Sequence, residues 1–243
     1  MKHLLWVCLL FPLFVFSQSL SKYVPASLVL KRAPVIPIAS SKAFMHGSRN
    51  EKRIALTFDA CATAPRSRYD SSIITTLLRT NTPATLFICG KFAVEHMNEM
   101  RFLARQPLFE LGNHSFIHPR LSVVSAQRMK EELQLTQNIL FTLSGKMPDL
   151  FRPPFGEEND SIVECAASLG MRTIQYDLAS GDPDTSISAK RLINYVSAKA
   201  KNGSIIVMHM NKRGWHTAEA LPEIIERLRK RGFEFVKVSD LQQ

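Results

Sequence analysis

Cysteine is scarce in this sequence, with four in 243 residues and none in a CxxC pair. Disulfide frameworks and redox motifs need closely spaced or regularly repeated cysteines, so the wide spacing excludes both. The three cysteines after residue 17, at positions 61, 89 and 165, could form at most one disulfide, and the sequence does not indicate which pair. No period of roughly 20–50 residues repeats, which excludes solenoids and propellers.

The chain also lacks an apolar run long enough to cross a bilayer. The run at residues 4–16 has about 13 residues, whereas a spanning helix needs roughly 20. It follows a short basic start, and Val15 and Ser17 stand where a signal peptidase would recognise its site. Residues 1–17 are therefore predicted to be a secretory signal peptide that leaves the mature chain secreted or periplasmic, without stable membrane insertion. The alternative is an uncleaved anchor.

Acidic residues are fewer than basic ones, 21 against 31, which gives a formal net charge of +10. Removal of residues 1–17 takes away one lysine and no acid and leaves +9. Such an excess favours anionic surroundings, including wall polymers, lipid headgroups and nucleic acid. Because the basic residues are scattered and export is predicted, no nucleic-acid partner is expected. The sequence does not indicate an oligomeric state.

The chain divides into an arm and one α/β domain. Residues 18–50 are polar, rich in serine and interrupted by prolines, so they are predicted to form a linker or a loosely packed arm. From residue 51 to 243, short apolar runs alternate with amphipathic stretches, which predicts a parallel sheet or barrel. Strands are predicted at residues 54–58, 85–89, 150–151, 173–176, 204–209 and 233–238, with a short apolar segment at 108–111. Helices are predicted at residues 71–80, 92–106, 125–143, 161–169, 189–201 and 218–231.

Side chains with catalytic potential follow five of these strand segments. They are Asp59, His114 with His118, Arg152, Asp177 with Asp182, and His209. Parallel strands bring their carboxyl ends to one rim, where the active sites of barrel-like folds lie, so these side chains are expected to meet there. Each has a simpler explanation when it is taken alone: a loop-capping aspartate, a chance histidine pair, a rigid Arg-Pro-Pro turn or a core histidine. Their shared position after a strand favours a site.

Five segments, in this order, resemble the motifs of the polysaccharide-deacetylase family, also called the NodB-homology domain. They are LTFD at residues 56–59, GNHSFIH at 112–118, FRPPFG at 151–156, YDLASGD at 176–182 and IVMH at 206–209. The resemblance covers about residues 51–243 and implies a distorted (β/α) barrel of seven or eight parallel strands. It also implies a hydrolase that removes N-acetyl groups from an N-acetylglucosamine-containing glycan such as peptidoglycan, a chitin-like polymer or an exopolysaccharide.

The resemblance assigns a catalytic role to each matching polar residue. Asp59 would be the general base for the attacking water, held in place by Arg152. His209 would be the general acid that protonates the leaving amine. Asp182 would tune His209, with Asp177 as the less favoured candidate for that role.

The resemblance also assigns the residues that contact metal and substrate. His114 and His118 would bind a divalent metal, most simply zinc. A backbone N–H near Phe155 would stabilise the oxyanion. Phe155 and Trp215 are aromatic residues close to the predicted site and are candidates for stacking on a sugar ring.

The sequence departs from the family pattern at position 60. Most members carry an aspartate there as the third metal ligand, whereas Ala60 has no donor atom, and a catalytic zinc site normally has three protein ligands plus water. Cys61 is adjacent, but its side chain is expected to point to the other side of the chain. Three alternatives stay open: a metal held by fewer or unrecognised ligands, metal-independent hydrolysis of O-acetyl esters or small amides, and a degenerate site that only binds glycan. The retained acid–base pair favours an active hydrolase.

Overall fold

The computed structural model describes residues 20, 22–40, 42–62 and 68–242. Parallel strands form one sheet in the order β5-β4-β3-β2-β1-β7-β6, and β8 pairs with the start of β1. The sheet curls into a half-barrel with helices packed on it, which confirms the predicted fold class. The strands are β1 (Arg53–Ala60), β2 (Ala84–Ile88), β3 (Phe109–Asn113), β4 (Leu150–Phe151), β5 (Arg172–Thr173), β6 (Leu178–Ala179), β7 (Ile205–His209) and β8 (Glu234–Phe235).

Helices connect these strands except β5 and β6, which follow each other directly. They are α1 (Ser71–Arg79), α2 (Gly90–Glu95), α3 (Met97–Arg105), α4 (Ala126–Ser144), α5 (Asp160–Ser168), α6 (Ala189–Lys199), α7 (Thr217–Lys230) and α8 (Val238–Leu241). Side-chain caps fix several helix starts, because Asp70, Ser125 and Asn159 each accept a hydrogen bond from a backbone N–H of the first turn.

Strand β1 shows how the sheet positions the site. Ile54, Leu56 and Phe58 belong to the large apolar cluster that includes the helices, whereas Ala55 packs into the smaller cluster inside the half-barrel. Side chains alternate along a strand, so the residues at positions 57 and 59 continue the inward series. The inner face of β1 thus changes from apolar to polar towards its carboxyl end.

Three predicted elements were wrong in extent. The helix predicted at residues 92–106 is two helices, because the backbone at His96 leaves the helical region (φ −131°, ψ 43°). The strand predicted at 173–176 is shorter, and β6 was not predicted at all. The final strand is limited to Glu234–Phe235 and is followed by α8. A strand of two residues is too short to show the alternation of apolar and polar residues by which strands are predicted.

The arm before residue 51 contacts the domain in the part that the structure describes. The backbone N–H groups of Lys31 and Ala33 donate to side chains of α4. Phe44 then forms a parallel bridge with Ile174 after β5, and His46 forms an antiparallel bridge with the residue before β7. The arm therefore lies in the seam between the two ends of the curled sheet. The domain division at residue 50 stays a prediction.

Among the described residues, no helix is both long and apolar enough to cross a membrane. The predicted signal peptide at residues 1–17 lies outside the described residues.

Candidate active site

A cleft opens where the carboxyl ends of β1, β4, β6 and β7 meet. It contains Asp59, His118, Phe155, Asp182 and His209 of the predicted site. Asp59 and His209 are direct partners in the register of β1 and β7, so their side chains lie on the same face of neighbouring strands, about 4.8 Å apart at the backbone. The geometry brings the predicted base and acid together.

Arg152 holds Asp59 in a buried ion pair. The Arg152 guanidinium is fully buried and donates through Nη1 to Asp59 Oδ1 at 2.9 Å and to Thr57 Oγ1 at 2.7 Å. Nη2 donates to the carbonyl oxygen of Gln175 at 3.3 Å, and the guanidinium stacks on the ring of Phe87 with 4.1 Å to its centroid. These contacts leave Arg152 one orientation, so Arg152 acts as a positioning residue for the carboxylate.

The charges around Asp59 keep it ionised. Burial alone would raise the pKa of the carboxyl group, but the charge of Arg152, followed by those of His114 and His209, holds this pKa below its usual value. A carboxylate is therefore present at neutral pH, which is the form that accepts a proton from water.

His209 is paired with Asp182, which also lines the cleft. His209 Nδ1 lies 2.9 Å from Asp182 Oδ1, and the His209 backbone N–H donates to Asp182 Oδ2 at 2.7 Å. The hydroxyl groups of Ser180 and Thr217 donate to the same carboxylate at 3.0 and 2.6 Å. Asp182 is thereby fixed, and it orients the imidazole so that Nε2 is the ring nitrogen left for other contacts.

The carboxylate also sets the protonation of His209. Burial would lower the pKa of the imidazole, but the hydrogen bond and the charge of Asp182, with a further contribution from Asp59, raise it. The protonated form is the one that can donate to a leaving group.

Asp177, the less favoured candidate for tuning His209, lies in a different environment. Its carboxylate pairs with Arg49 at 2.8 Å and accepts hydrogen bonds from the Ser204 hydroxyl and the Ile205 backbone N–H at the start of β7. That is the opposite end of β7 from His209. Asp177 therefore anchors the arm and β7, and its assignment as a partner of His209 was wrong.

The two predicted metal ligands are adjacent. The rings of His114 and His118 lie 4.9 Å apart between centroids. His114 Nδ1 lies 2.8 Å from the carbonyl oxygen of Arg152, which leaves Nε2 facing Asp59 Oδ2 at 3.6 Å. Burial lowers the pKa of both rings, to about 3 for His118, so both imidazoles are neutral at pH 7, as metal binding requires.

No third protein ligand for a metal accompanies His114 and His118 among the described residues. Ala60 is fully buried in the cluster shared with the helices. Cys61 lines the same cleft as Asp59, and its Sγ accepts a hydrogen bond from Asn211 Nδ2 at 3.3 Å. The expected direction of its side chain stays a prediction. Within the described ranges, no group of three or more His, Cys, Asp or Glu side chains is arranged to hold a metal ion. The residues present supply two imidazoles and do not complete a three-ligand zinc site.

The two aromatic candidates occupy different places. Phe155 lines the cleft, is exposed, and lies edge-on to His118 with 4.5 Å between ring centroids. Its φ of 60° is unusual for a residue with a side chain and is a form of local strain that concentrates at functional sites. The Trp215 side chain is 59% exposed and is not among the residues that line the cleft. Roles in substrate binding stay predictions for both.

Several residues of the site were missed from the sequence. Thr57, Ser180 and Thr217 supply hydroxyl groups to the charged residues, and Arg213 lines the cleft. Arg213 follows β7 by four residues, so the position-after-a-strand argument that selected His209 would have reached it. The hydroxyl residues carried no such signal, because serine and threonine are common at all surfaces.

Comparison with known proteins places this cleft in a known context. Residues 46–174, just over half of the chain, match the family model described as Polysaccharide deacetylase. The chain is 30% identical over 226 residues to the Peptidoglycan-N-acetylglucosamine deacetylase PgdA of Listeria monocytogenes, which covers 90% of this chain and only 42% of that relative. It is 32% identical over 198 residues to a Peptidoglycan-N-acetylglucosamine deacetylase of Bacillus cereus, which covers 79% of this chain and 89% of the relative.

A solved structure shares the same architecture. A Bacillus anthracis protein described as a CE4 family pseudoenzyme matches with a TM-score of 0.76 and 25% identity, over 85% of this chain and 70% of that one. The half-barrel, the order of the motifs along it and the extent of the family match agree with one another, and the chain belongs to the polysaccharide deacetylase family.

Proposed function

We propose that the chain is an exported deacetylase that removes N-acetyl groups from an N-acetylglucosamine-containing glycan of the cell envelope. One observation carries the proposal: Asp59 and His209 are partners across β1 and β7 in one cleft, and each has its own buried charged partner. A site that only binds glycan has no need of an ionised carboxylate beside a protonated imidazole. The named relatives that act on peptidoglycan support the choice of polymer.

The proposed reaction uses groups of the chain alone. Asp59 takes a proton from a water molecule as the water oxygen attacks the acetamide carbonyl carbon. The tetrahedral oxyanion that forms lies beside Phe155, whose backbone N–H is the candidate donor, since Pro153 and Pro154 have no N–H. His209 then gives its proton to the amide nitrogen as the carbon–nitrogen bond breaks. The products are acetate and the free amine of the sugar.

A divalent metal would lower the pKa of bound water and polarise the carbonyl. His114 and His118 are the residues that would hold it, with zinc as the expected ion. Because Ala60 supplies no third ligand, no step of the proposed reaction depends on the metal. The experiment therefore measures acetate release with and without metal.

The experiment measures acetate released from chitin oligomers and from acetylated xylan by the purified chain. It is run after chelation and again with added zinc. Asp59→Asn and His209→Ala are the test variants, and Asp184→Asn and His216→Ala are their matched controls, since both control residues lie outside the cleft lining.

We expect release from the chitin oligomers that falls by at least about 10²-fold in both test variants and stays near the parent value in both controls. Zinc-dependent release would support metal-assisted hydrolysis, with His114 and His118 as the proposed ligands, and release that is indifferent to chelation would support a metal-independent hydrolase. Preferential release from xylan would move the substrate to O-acetyl esters.

A second candidate is a glycan-binding protein without catalysis. Ala60 in place of a metal-binding aspartate and the similarity to a protein described as a pseudoenzyme both favour it. It predicts no acetate release under any condition, with oligomer binding that is unchanged in His209→Ala.

A further inference from the structure

Arg213 is a charged residue of the cleft that the proposed reaction does not use. Its side chain lines the cleft together with Asp59 and His209 and is exposed to solvent. Among the described residues, its guanidinium takes part in no ion pair and no hydrogen bond, and only its backbone N–H donates, to Asn211 Oδ1 at 3.3 Å. An arginine with five donors in a fixed fork is thus presented to the cleft without a partner.

No carboxylate of the chain lies within ion-pair distance of the Arg213 guanidinium. All aspartate and glutamate side chains lie in the ranges that the structure describes, because residues 1–19, 21, 41, 63–67 and 243 contain none. The two carboxylates of the cleft already have partners, Asp59 with Arg152 and Asp182 with His209. At the rim, Arg120 pairs with Glu157. Arg213 is therefore the uncompensated cation of the cleft.

The segment that carries Arg213 is fixed on both sides. Asn211 is buried and donates through Nδ2 to the Cys61 carbonyl oxygen at 2.7 Å. Lys212 pairs with Asp70 at 2.9 Å, and the Trp215 backbone N–H donates to the Asp182 carbonyl oxygen at 3.1 Å. A side chain placed by a fixed backbone loses less freedom when it binds a ligand.

We propose that Arg213 binds a carboxylate carried by the substrate, so that the cleft selects an acidic acetylated glycan over a neutral one. This inference rests on the proposed function, which places the acetamide of the sugar between Asp59 and His209. It concerns which sugar is recognised and not which bond is broken. A guanidinium matches a carboxylate with two parallel hydrogen bonds, which a neutral sugar hydroxyl cannot reproduce.

Two envelope sugars carry such a group near an acetamide. In N-acetylmuramic acid, a lactyl ether that carries a carboxylate is attached to the ring carbon next to the acetamide-bearing carbon. A uronic acid places one on the sugar adjacent to an N-acetylhexosamine. The chemistry at Arg213 is the same for both, and the experiment separates them.

The test measures equilibrium binding by calorimetry, with the Asp59→Asn chain as the background so that no turnover interferes. The ligands are peptide-free strands of alternating N-acetylglucosamine and N-acetylmuramic acid, the same strands after methyl esterification, oligomers of N-acetylglucosamine with glucuronic acid, and neutral chitin oligomers. Arg213→Gln is the test variant and Arg213→Lys the conservative one. Arg105→Gln is the matched control, since it removes the same charge from an exposed arginine at the end of α3 that does not line the cleft.

We expect one of the two acidic ligands to bind about tenfold more tightly than its uncharged counterpart, which is the low end for a charge-assisted hydrogen bond because Arg213 is exposed. Arg213→Gln should abolish this preference and leave the affinity for chitin oligomers unchanged. Arg213→Lys should keep part of the preference, and Arg105→Gln should keep nearly all of it. The acidic ligand that shows the preference identifies the source of the carboxylate.

Equal affinity for free and esterified strands, with no preference for the glucuronic acid oligomers, would overturn the inference, as would a preference that persists in Arg213→Gln. The outcome does not depend on catalysis. If the parent chain releases no acetate but shows an Arg213-dependent preference, the proposed function fails and the recognition site stands. If acetate is released equally from acidic and neutral oligomers, the function stands and the recognition site fails.

Discussion

Arg152 is the largest of the fully buried side chains. Because it pairs with Asp59, its burial affects both the stability of the fold and the proposed reaction. A lone guanidinium in an apolar interior would be very costly, and so would the Asp59 carboxylate without it. Each charge is tolerated because the other is present, together with Thr57 and the carbonyl oxygen of Gln175. Arg152 therefore holds the Asp59 carboxylate in place, and its removal would leave that carboxylate as an unpaired buried charge.

We expect Arg152→Met to lower the free energy of unfolding at pH 7 by about 3–5 kcal/mol, because it leaves Asp59 buried without its cation. The measurement is urea unfolding. Arg120→Met is the control, since Arg120 is an exposed residue paired with Glu157, and it should cost less than about 1 kcal/mol. Equal losses in the two variants would contradict the assignment of Arg152 as the partner of a buried charge.

The same ion pair predicts how the loss in Arg152→Met varies with pH. The lowered pKa of Asp59 contributes stability that is present above the unfolded-state pKa of about 3.9 and is lost as the pH falls through the lower folded-state value. The difference between the parent and Arg152→Met should therefore shrink as the pH is lowered below about 4. A difference that stays constant down to the acid transition would show that packing rather than charge accounts for the loss.

Asp182→Asn is expected to lower the pKa of the His209 imidazole, because it removes the carboxylate that outweighs burial. A general acid works while it is protonated, so the alkaline decline of acetate release should move to lower pH. NMR titration of the His209 ring should show the same shift without reference to activity. Asp177→Asn is the control, because Asp177 lies at the other end of β7, and it should leave the titration of His209 unchanged.

The proposed catalytic residues could be selected from the sequence because the end of a strand is visible there. Asp59 and His209 each come at the end of a clearly apolar run, and the register of β1 with β7 then brings them together. The isolation of Arg213 could not be predicted. It depends on which residues face Arg213 across the cleft, and those residues have no fixed spacing in the sequence.

At the scale of elements, long segments were predicted and very short ones were not. Helices α4 and α7 have an apolar stripe that repeats over several turns, so their period is visible. Strands β4, β5, β6 and β8 have two residues each, and their positions are fixed by pairing with neighbours. The unpredicted strand β6 is the one that delivers Asp182. For that reason the sequence analysis placed Asp182 in the site but after the strand predicted at residues 173–176, whereas it follows β6.

The seam between the ends of the sheet gives a prediction at this scale. Gly203 has a φ of +73°, and a Cβ atom added there would lie 2.5 Å from the carbonyl oxygen of Gly47 in the arm. We expect Gly203→Ala to cost about 2–4 kcal/mol of unfolding free energy, from backbone strain together with the clash. Limited proteolysis should also cut the arm near residues 42–50 faster, because the clash displaces it from the seam.

Gly145→Ala is the matched control for this prediction. Gly145 has a nearly identical φ of +71°, but a Cβ atom there would meet nothing within 4 Å. It should cost only about 1–2 kcal/mol and should leave the proteolysis of the arm unchanged. If both variants cost the same and the arm stays protected in both, the seam does not depend on the approach of Gly47 to Gly203.

At the scale of the whole molecule, charge and compartment support each other. The excess of basic residues belongs to a chain whose first 17 residues are predicted to export it, and the polymers outside the membrane include anionic ones. The uncompensated Arg213 gives this general attraction a specific location. A high net charge raises encounter with any anionic surface, whereas a single unpaired guanidinium in the cleft can select which sugar enters.

The relation between the positive charge and an anionic polymer outside the membrane depends on the prediction that the chain is exported. When the full chain is expressed in a bacterium, we expect a protein in the periplasmic or extracellular fraction whose amino terminus is Gln18, established by N-terminal sequencing and intact mass. Leu10→Lys should block export, because it places a charge within the apolar run at residues 4–16. Val29→Lys makes the same kind of change at an exposed position of the arm and should leave export intact. A protein that keeps Met1 and stays with the membrane fraction would identify an uncleaved anchor, and the catalytic domain would then act on glycan within reach of the bilayer.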